Sequence, residues 1–170
     1  MTQDQPVFQH TMAVLVDNEA GVLARVIGLF SGRGYNIESL TVAETDHKEG
    51  LSRITIVTSG TSMVIEQIKA QLERLVPVHR VQDLTTDGPS VERELALVKV
   101  AAIGDPRVES LRLADAFRAR VIDTTTESFT FEITGASSKI DAFVALMKPL
   151  GMTDVSRTGV AAISRGTEKL

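Results

Sequence analysis

Residues 11–42 read TMAVLVDNEAGVLARVIGLFSGRGYNIESLTV, and the order of patterns within them decides the fold. Thr11–Val16 carries apolar groups on both faces, as a buried strand does. Asp17, Asn18, Glu19, Ala20 and Gly21 interrupt it. Val22, Leu23, Val26, Ile27 and Phe30 then recur at helical spacing. Gly32 and Gly34 stop that helix, because glycine suits the positions at and just past a C-terminus. Tyr35–Thr45 is rich in β-formers and predicts a second strand.

Working outward, residues 46–50 form a turn, and Leu51–Ser59 alternates apolar and polar residues as a hairpin partner does. Thr61 or Ser62 caps a second helix whose apolar positions are Val64, Ile65, Ile68, Leu72, Leu75 and Val76. Val78–Leu84 closes a β-α-β-β-α-β order. Turn-forming residues cluster at 85–90, which predicts a linker. The same order then recurs: a strand over Leu95–Ile103, and a helix with Asp105 as N-cap and Pro106 at its first position. A hairpin of Arg120–Thr126 and Ser128–Thr134 follows. A helix opens at Ser137 or Ser138 and closes at Pro149 and Gly151, and a final strand region covers Val155–Ser164. Phe30 aligns with Phe117 and Ile68 with Phe143, so the second hairpin is the shorter.

The fold class is therefore α+β, with two tandem ferredoxin-like βαββαβ modules. Their expected bounds are a polar arm over 1–9, a first module over 10–84, the linker over 85–90, a second module over 91–166 and a tail over 167–170. Helices cover one face of each sheet, so the other needs a partner, between the halves or between chains.

Composition narrows the function. The chain has 170 residues, 43% hydrophobic and 24% charged, which suits a folded soluble protein. No apolar run is long enough to span a membrane. The first residues have neither the basic start nor the apolar core of a signal peptide, and there is no cysteine, so the expected compartment is the cytoplasm. A net charge of −4 gives no general attraction to nucleic acid.

Catalytic groups are missing. His10, His47 and His79 form no metal-binding pair, so neither a metal site nor a catalytic residue is assigned. Ser31 lacks the spacing of a nucleophile elbow. Asp17 and Glu19 at a helix start complement its dipole. Gly28, Gly32 and Gly34 lie at a helix end, not in a phosphate loop. Gly21 differs, since it follows a strand and opens a helix whose first N–H groups lack intrahelical partners. A ligand carboxylate can approach there. Asn18 is either an ordinary cap or a ligand amide, and Asn36 is either a turn residue or a second one, brought near the first loop by the sheet. With Val22, Leu23 and Ile37 beside them, these residues suit a small zwitterion with an aliphatic side chain. Tandem RNA-recognition modules share this fold, but Phe129 and Phe131 are the only aromatic pair on one strand face. Packing of that face against a partner sheet is the simpler expectation.

Several stretches carry a family resemblance: Asp17–Leu23, the run from Arg25 to Val42, Leu51–Val57, Val91–Val100 and Gly159–Gly166. Together they closely resemble the small regulatory subunits of acetolactate synthase (acetohydroxyacid synthase), and the first module resembles an ACT domain, an amino-acid sensor. The resemblance implies a non-catalytic subunit in branched-chain amino-acid synthesis. It implies a homodimer joined through ACT domains, docked on a catalytic large subunit that it activates. Valine, or a related branched-chain amino acid, would bind between two copies and inhibit by feedback. Asn18, Gly21, Val22 and Leu23 of one copy and Asn36 and Ile37 of the other would hold it. Thiamine diphosphate, magnesium and FAD would belong to the catalytic subunit, leaving this chain without a cofactor. An ACT-type sensor of another amino acid, or an RNA-binding tandem, is the alternative.

Overall fold

The computed structural model describes residues 6–170. They form two units by contact, one from the first part of the chain through Val91 together with Val160–Leu170, the other Glu92–Gly159.

In the first unit β1 (Phe8–Asp17), α1 (Val22–Gly32), β2 (Ser39–Asp46), β3 (Leu51–Gly60), α2 (Ser62–Glu73) and β4 (Val78–Asp83) build a sheet of order β2-β3-β1-β4. β1 lies antiparallel to β3, from Phe8 opposite Gly60 to Asp17 opposite Leu51. Met12, Val14, Val16, Ile54 and Ile56 meet Val26, Phe30, Ile68 and Leu72 in a core that excludes water. Thr61 caps α2, accepting the Val64 N–H.

The end of α1 shows why β2 starts later than the β-rich run from Tyr35 suggests. Gly34 adopts φ +70° and the Tyr35 N–H returns to Phe30 O (3.0 Å) while Gly34 N–H reaches Ser31 O (3.3 Å). This is a Schellman ending with glycine at the left-handed position. The Tyr35 ring completes it by packing edge-on against Phe30, 6.2 Å between centroids. Residues 35–38 are thereby spent on the turn, and Asn36 and Ile37 precede β2 instead of opening it.

The second unit repeats the plan with β5 (Ser90–Ala101), α3 (Asp105–Ala116), β6 (Arg120–Thr124), β7 (Ser128–Gly135), α4 (Ser137–Met147), a 3-10 turn (Lys148–Leu150) and β8 (Met152–Arg157). Strand order is β6-β7-β5-β8, the counterpart of the first sheet. β6 and β7 have 5 and 8 residues against 8 and 10 in β2 and β3, so the second hairpin is the shorter. Phe129 and Phe131 are buried under the helices, where Phe131 meets Phe143 edge-on at 6.1 Å. They face neither a partner sheet nor solvent.

Several local expectations are corrected. The N-cap of α3 is Gly104 at φ +65°, and Asp105 and Pro106 lie inside the first turn. α4 does open at Ser137, as expected, but neither serine caps it: Ala136 is the N-cap and the Ser137 hydroxyl donates to Glu94 (2.9 Å). The expected linker is a tied turn: Asp83 accepts the Thr85 N–H on its carboxylate and the Asp87 N–H on its carbonyl. The expected final strand region is two strands, β8 and β9 (Ala161–Ser164). β9 pairs β5, and Val160 and Ala162 also pack on Ala13, Val57 and Leu84.

Candidate functional site

Four residues, 18–21, separate β1 from the first helical residue Val22, and they form the loop that the glycine pattern singled out. Gly21 is the N-cap of α1 at φ +86°, a conformation costly for most side chains, and no side chain caps the helix. The first helical bond runs from Arg25 N–H to Gly21 O (3.0 Å). The amides of Leu23 and Ala24 therefore have no intrahelical acceptor. A Cβ at Gly21 would meet nothing within 4 Å, so the space beside the helix start is open where a side chain would stand.

Asn18 fixes this loop through its backbone, whose N–H donates to Gly50 O (2.7 Å). Its side chain is exposed and does not cap α1, so the ordinary role for an asparagine here is vacant. Beside it Asp17 Oδ1 lies 2.6 Å from His79 Nε2. Sequence reading passed over that pair because nothing in the spacing of residues 17 and 79 links them. Val22 is buried in the core and offers a ligand only backbone, whereas Leu23 is 37% exposed and offers a side chain.

Asn36 and Ile37 are elsewhere in the same chain. The Asn36 carbonyl accepts the Thr58 hydroxyl (2.6 Å) and its amide group is exposed. Thr58 and Leu51 sit toward opposite ends of β3, about 24 Å apart at the rise of a strand. Asn18 stands at the Leu51 end. The expectation that the sheet brings Asn36 to the first loop of its own chain is therefore corrected: Asn18 and Asn36 stand at opposite ends of one sheet.

Other candidates have structural employment. His10 is buried against Asp83 (Nδ1 to Oδ2, 2.7 Å), and exposed His47 pairs with Glu44 (2.6 Å). Among the described residues no cluster of three His, Asp or Glu side chains could hold a metal ion, and no helix is long and apolar enough to cross a membrane.

Two family profiles cover almost the whole chain. Residues 12–80 match the AHAS small subunit-like ACT domain and residues 93–166 match the small subunit of acetolactate synthase. The chain belongs to the acetolactate synthase small-subunit family. Relatives agree along their full lengths. A probable acetolactate synthase small subunit of Archaeoglobus fulgidus is 47% identical over 95% of this chain and 99% of its own. The isozyme 3 small subunit of Escherichia coli is 50% identical over 91% of this chain and 94% of its own. The crystal structure of the acetolactate synthase small subunit from Thermotoga maritima superposes with a TM-score of 0.84, at 38% identity, over 95% of this chain and 99% of that one. As a member of this family the chain is a small, non-catalytic subunit, and the Gly21 loop lies in its ACT domain.

Proposed function

We propose that the chain is a feedback sensor that raises the activity of an acetolactate synthase catalytic subunit, and that valine lowers it by binding between two copies. One observation carries this reading. The two exposed asparagines, each without a structural task for its amide, sit at opposite ends of one sheet in a family whose first module is an ACT domain.

Two features favour pairing through β2 and α1. β2 is an edge strand, with unpaired backbone groups along its outer side. Antiparallel pairing with β2 of a second copy would carry that copy's Asn36 and Ile37 toward the end where Asn18 and Gly50 lie. The exposed residues of α1 are Leu23, Ala24, Arg25, Gly28, Ser31 and Gly32, small from Gly28 onward. A Cβ at Gly28, in the middle of the helix, meets nothing within 4 Å, so this chain alone has no use for a glycine there. It costs the helix roughly 1 kcal/mol against alanine, a cost that close approach of a second helix would explain.

In the assembled site the amino-acid carboxylate would lie before the free amides at Leu23 and Ala24, favoured by the helix dipole. Asn18 and the partner's Asn36 would take its remaining polar groups, and Leu23 and Ile37 its side chain. Thiamine diphosphate, magnesium and FAD would stay with the catalytic subunit in the cytoplasm. Inhibition would be a shift between arrangements of the complex, with a coupling of about 1–3 kcal/mol.

Calorimetric titration with valine tests this, with leucine, isoleucine and glycine as comparisons and Asn18→Ala as the variant. Saturable valine binding that Asn18→Ala removes is the expected result. Preference for another amino acid would leave an ACT sensor with a different effector. Silence both in the free chain and with the catalytic subunit present would leave an activating scaffold without feedback.

A further inference from the structure

The second unit repeats the strand–loop–helix corner of the first with different chemistry. Gly104 opens α3 at positive φ and without a side-chain cap, as Gly21 opens α1. Asn18 stands three residues before Gly21, and Ala101 holds that place before Gly104. Ala20 precedes Gly21, whereas the bulkier Ile103 precedes Gly104 and is 70% exposed. This corner opens on a groove of about 530 Å³ walled by Ala102, Ile103, Pro106, Pro149 and Leu150, with Glu127 as its one charged lining residue.

The groove has a fixed floor. Ala101 N–H donates to Gly151 O and Ala102 N–H to Glu127 O, both at 2.9 Å, which ties the end of β5 to the 3-10 turn and the β6–β7 hairpin. A Cβ on Gly151 would come within 2.3 Å of Ala101 O, so glycine keeps these segments in contact. With those main-chain groups spent on each other, an occupant meets apolar walls and one carboxylate.

These features select the occupant. A free amino acid finds no asparagine here, and its carboxylate would face Glu127 and Asp105, which is exposed at the start of α3. Exposed Lys148 adjoins Pro149 but does not line the groove. A second copy seated groove to groove about a two-fold axis would set Glu127 against Glu127. An apolar side chain of a different protein, with a basic residue beside it, satisfies both the walls and the carboxylate. Membership of the small-subunit family gives the chain one such partner, the catalytic large subunit of acetolactate synthase.

We propose that this groove is a docking point for the catalytic subunit, taking one of its apolar side chains while a neighbouring basic residue meets Glu127. The inference rests on the reading of the chain as an activating subunit and adds the place of contact. It involves neither β2, α1 nor the Gly21 loop.

The test immobilises the catalytic subunit and measures the dissociation constant of the full chain by interferometry, with activation assayed in parallel. Ile103→Asp should weaken binding by roughly tenfold or more, as loss of an interface anchor does. Glu127→Lys should weaken it too, by a factor that shrinks as salt is raised. Met63→Asp, at a similarly exposed apolar residue on α2, should leave it unchanged. All three replace exposed side chains, so circular dichroism and thermal midpoint should match those of the unaltered chain. Undiminished binding by Ile103→Asp overturns the proposal, as does an equal loss from Met63→Asp. Undiminished binding by Glu127→Lys removes the basic neighbour and overturns it likewise. Unfolding of Ile103→Asp also overturns it, because Ile103 would then be core. Binding without activation would refute the activating reading and leave the docking point standing, whereas no binding by the unaltered chain would refute both.

Discussion

At the residue scale, Gly21 is where conformation and charge can be separated. Its φ of +86° penalises most side chains, but Asn and Asp tolerate that region better than other residues. Gly21→Asp and Gly21→Asn therefore have nearly equal size and strain and differ by one charge. If a ligand carboxylate sits before the α1 amides, Gly21→Asp should abolish valine inhibition while activation of the catalytic subunit persists. Gly21→Asn should retain a measurable part of the inhibition. Inhibition assays on the reconstituted complex read the difference; equal loss in both variants would assign the effect to backbone and remove the carboxylate from this place. A second residue-scale prediction concerns the other unit. Arg157 donates to Glu94, which also accepts from Ser137, and these bonds hold the Glu94 carboxyl below its ordinary pKa against the opposing effect of burial. A depressed carboxyl stabilises the fold above its unfolded value, about pH 4.3, and that stability is lost as pH falls through the folded value. Glu94→Gln should cost about 1–2 kcal/mol at neutral pH, moderated by solvent at half-exposed Arg157, and the gap in thermal midpoint should close in acid.

At the element scale, α1 is the informative piece. Its buried stripe of Val22, Val26 and Phe30 follows from the 3.6-residue period and was legible in the sequence. So was the repeat of the whole βαββαβ order, because periodicity survives wherever one face of an element is buried. Boundaries were less legible for a physical reason. Whether Gly34 or Tyr35 ends the turn depends on Phe30 being present for the Tyr35 ring, a tertiary contact that local propensity does not encode. Asn18 and Asn36 were found as residue types, but their separation along the sheet was not, since only the β1–β3 register places them at opposite ends. Likewise the final strand region read as one strand where there are two, because strand patterning reports burial and never says against what. The outward face of α1 yields its own prediction. Gly28→Ala should stabilise the chain slightly, since its Cβ meets nothing and helix propensity improves. Gly28→Leu should leave the folded chain intact but push sedimentation toward the monomer and remove valine binding. A Gly28→Leu chain that still dimerises would place the pairing surface away from α1.

At the scale of the whole molecule, a site split between two copies makes effector binding and self-association one equilibrium. In the proposed assembly neither half-site would be complete alone, so a ligand contacting both would stabilise the pair more than the separate chains, and thermodynamic linkage fixes by how much. Valine should therefore tighten the dimer, and dilution should weaken valine binding, two readings of one free energy. The same logic reaches the catalytic subunit. If valine weakens coupling to that subunit by a factor in the range of roughly 5–150, the catalytic subunit must weaken valine binding by the same factor. Valine affinity would be measured with and without saturating catalytic subunit, and catalytic-subunit affinity with and without saturating valine. Unequal factors would show that a third species, such as a differently assembled dimer, intervenes. Equal factors above unity would make inhibition a redistribution between two binding-competent arrangements. A factor of one, with inhibition intact, would confine the effect to the catalytic rate, leaving the partners bound and the sensor acting through the geometry of the complex.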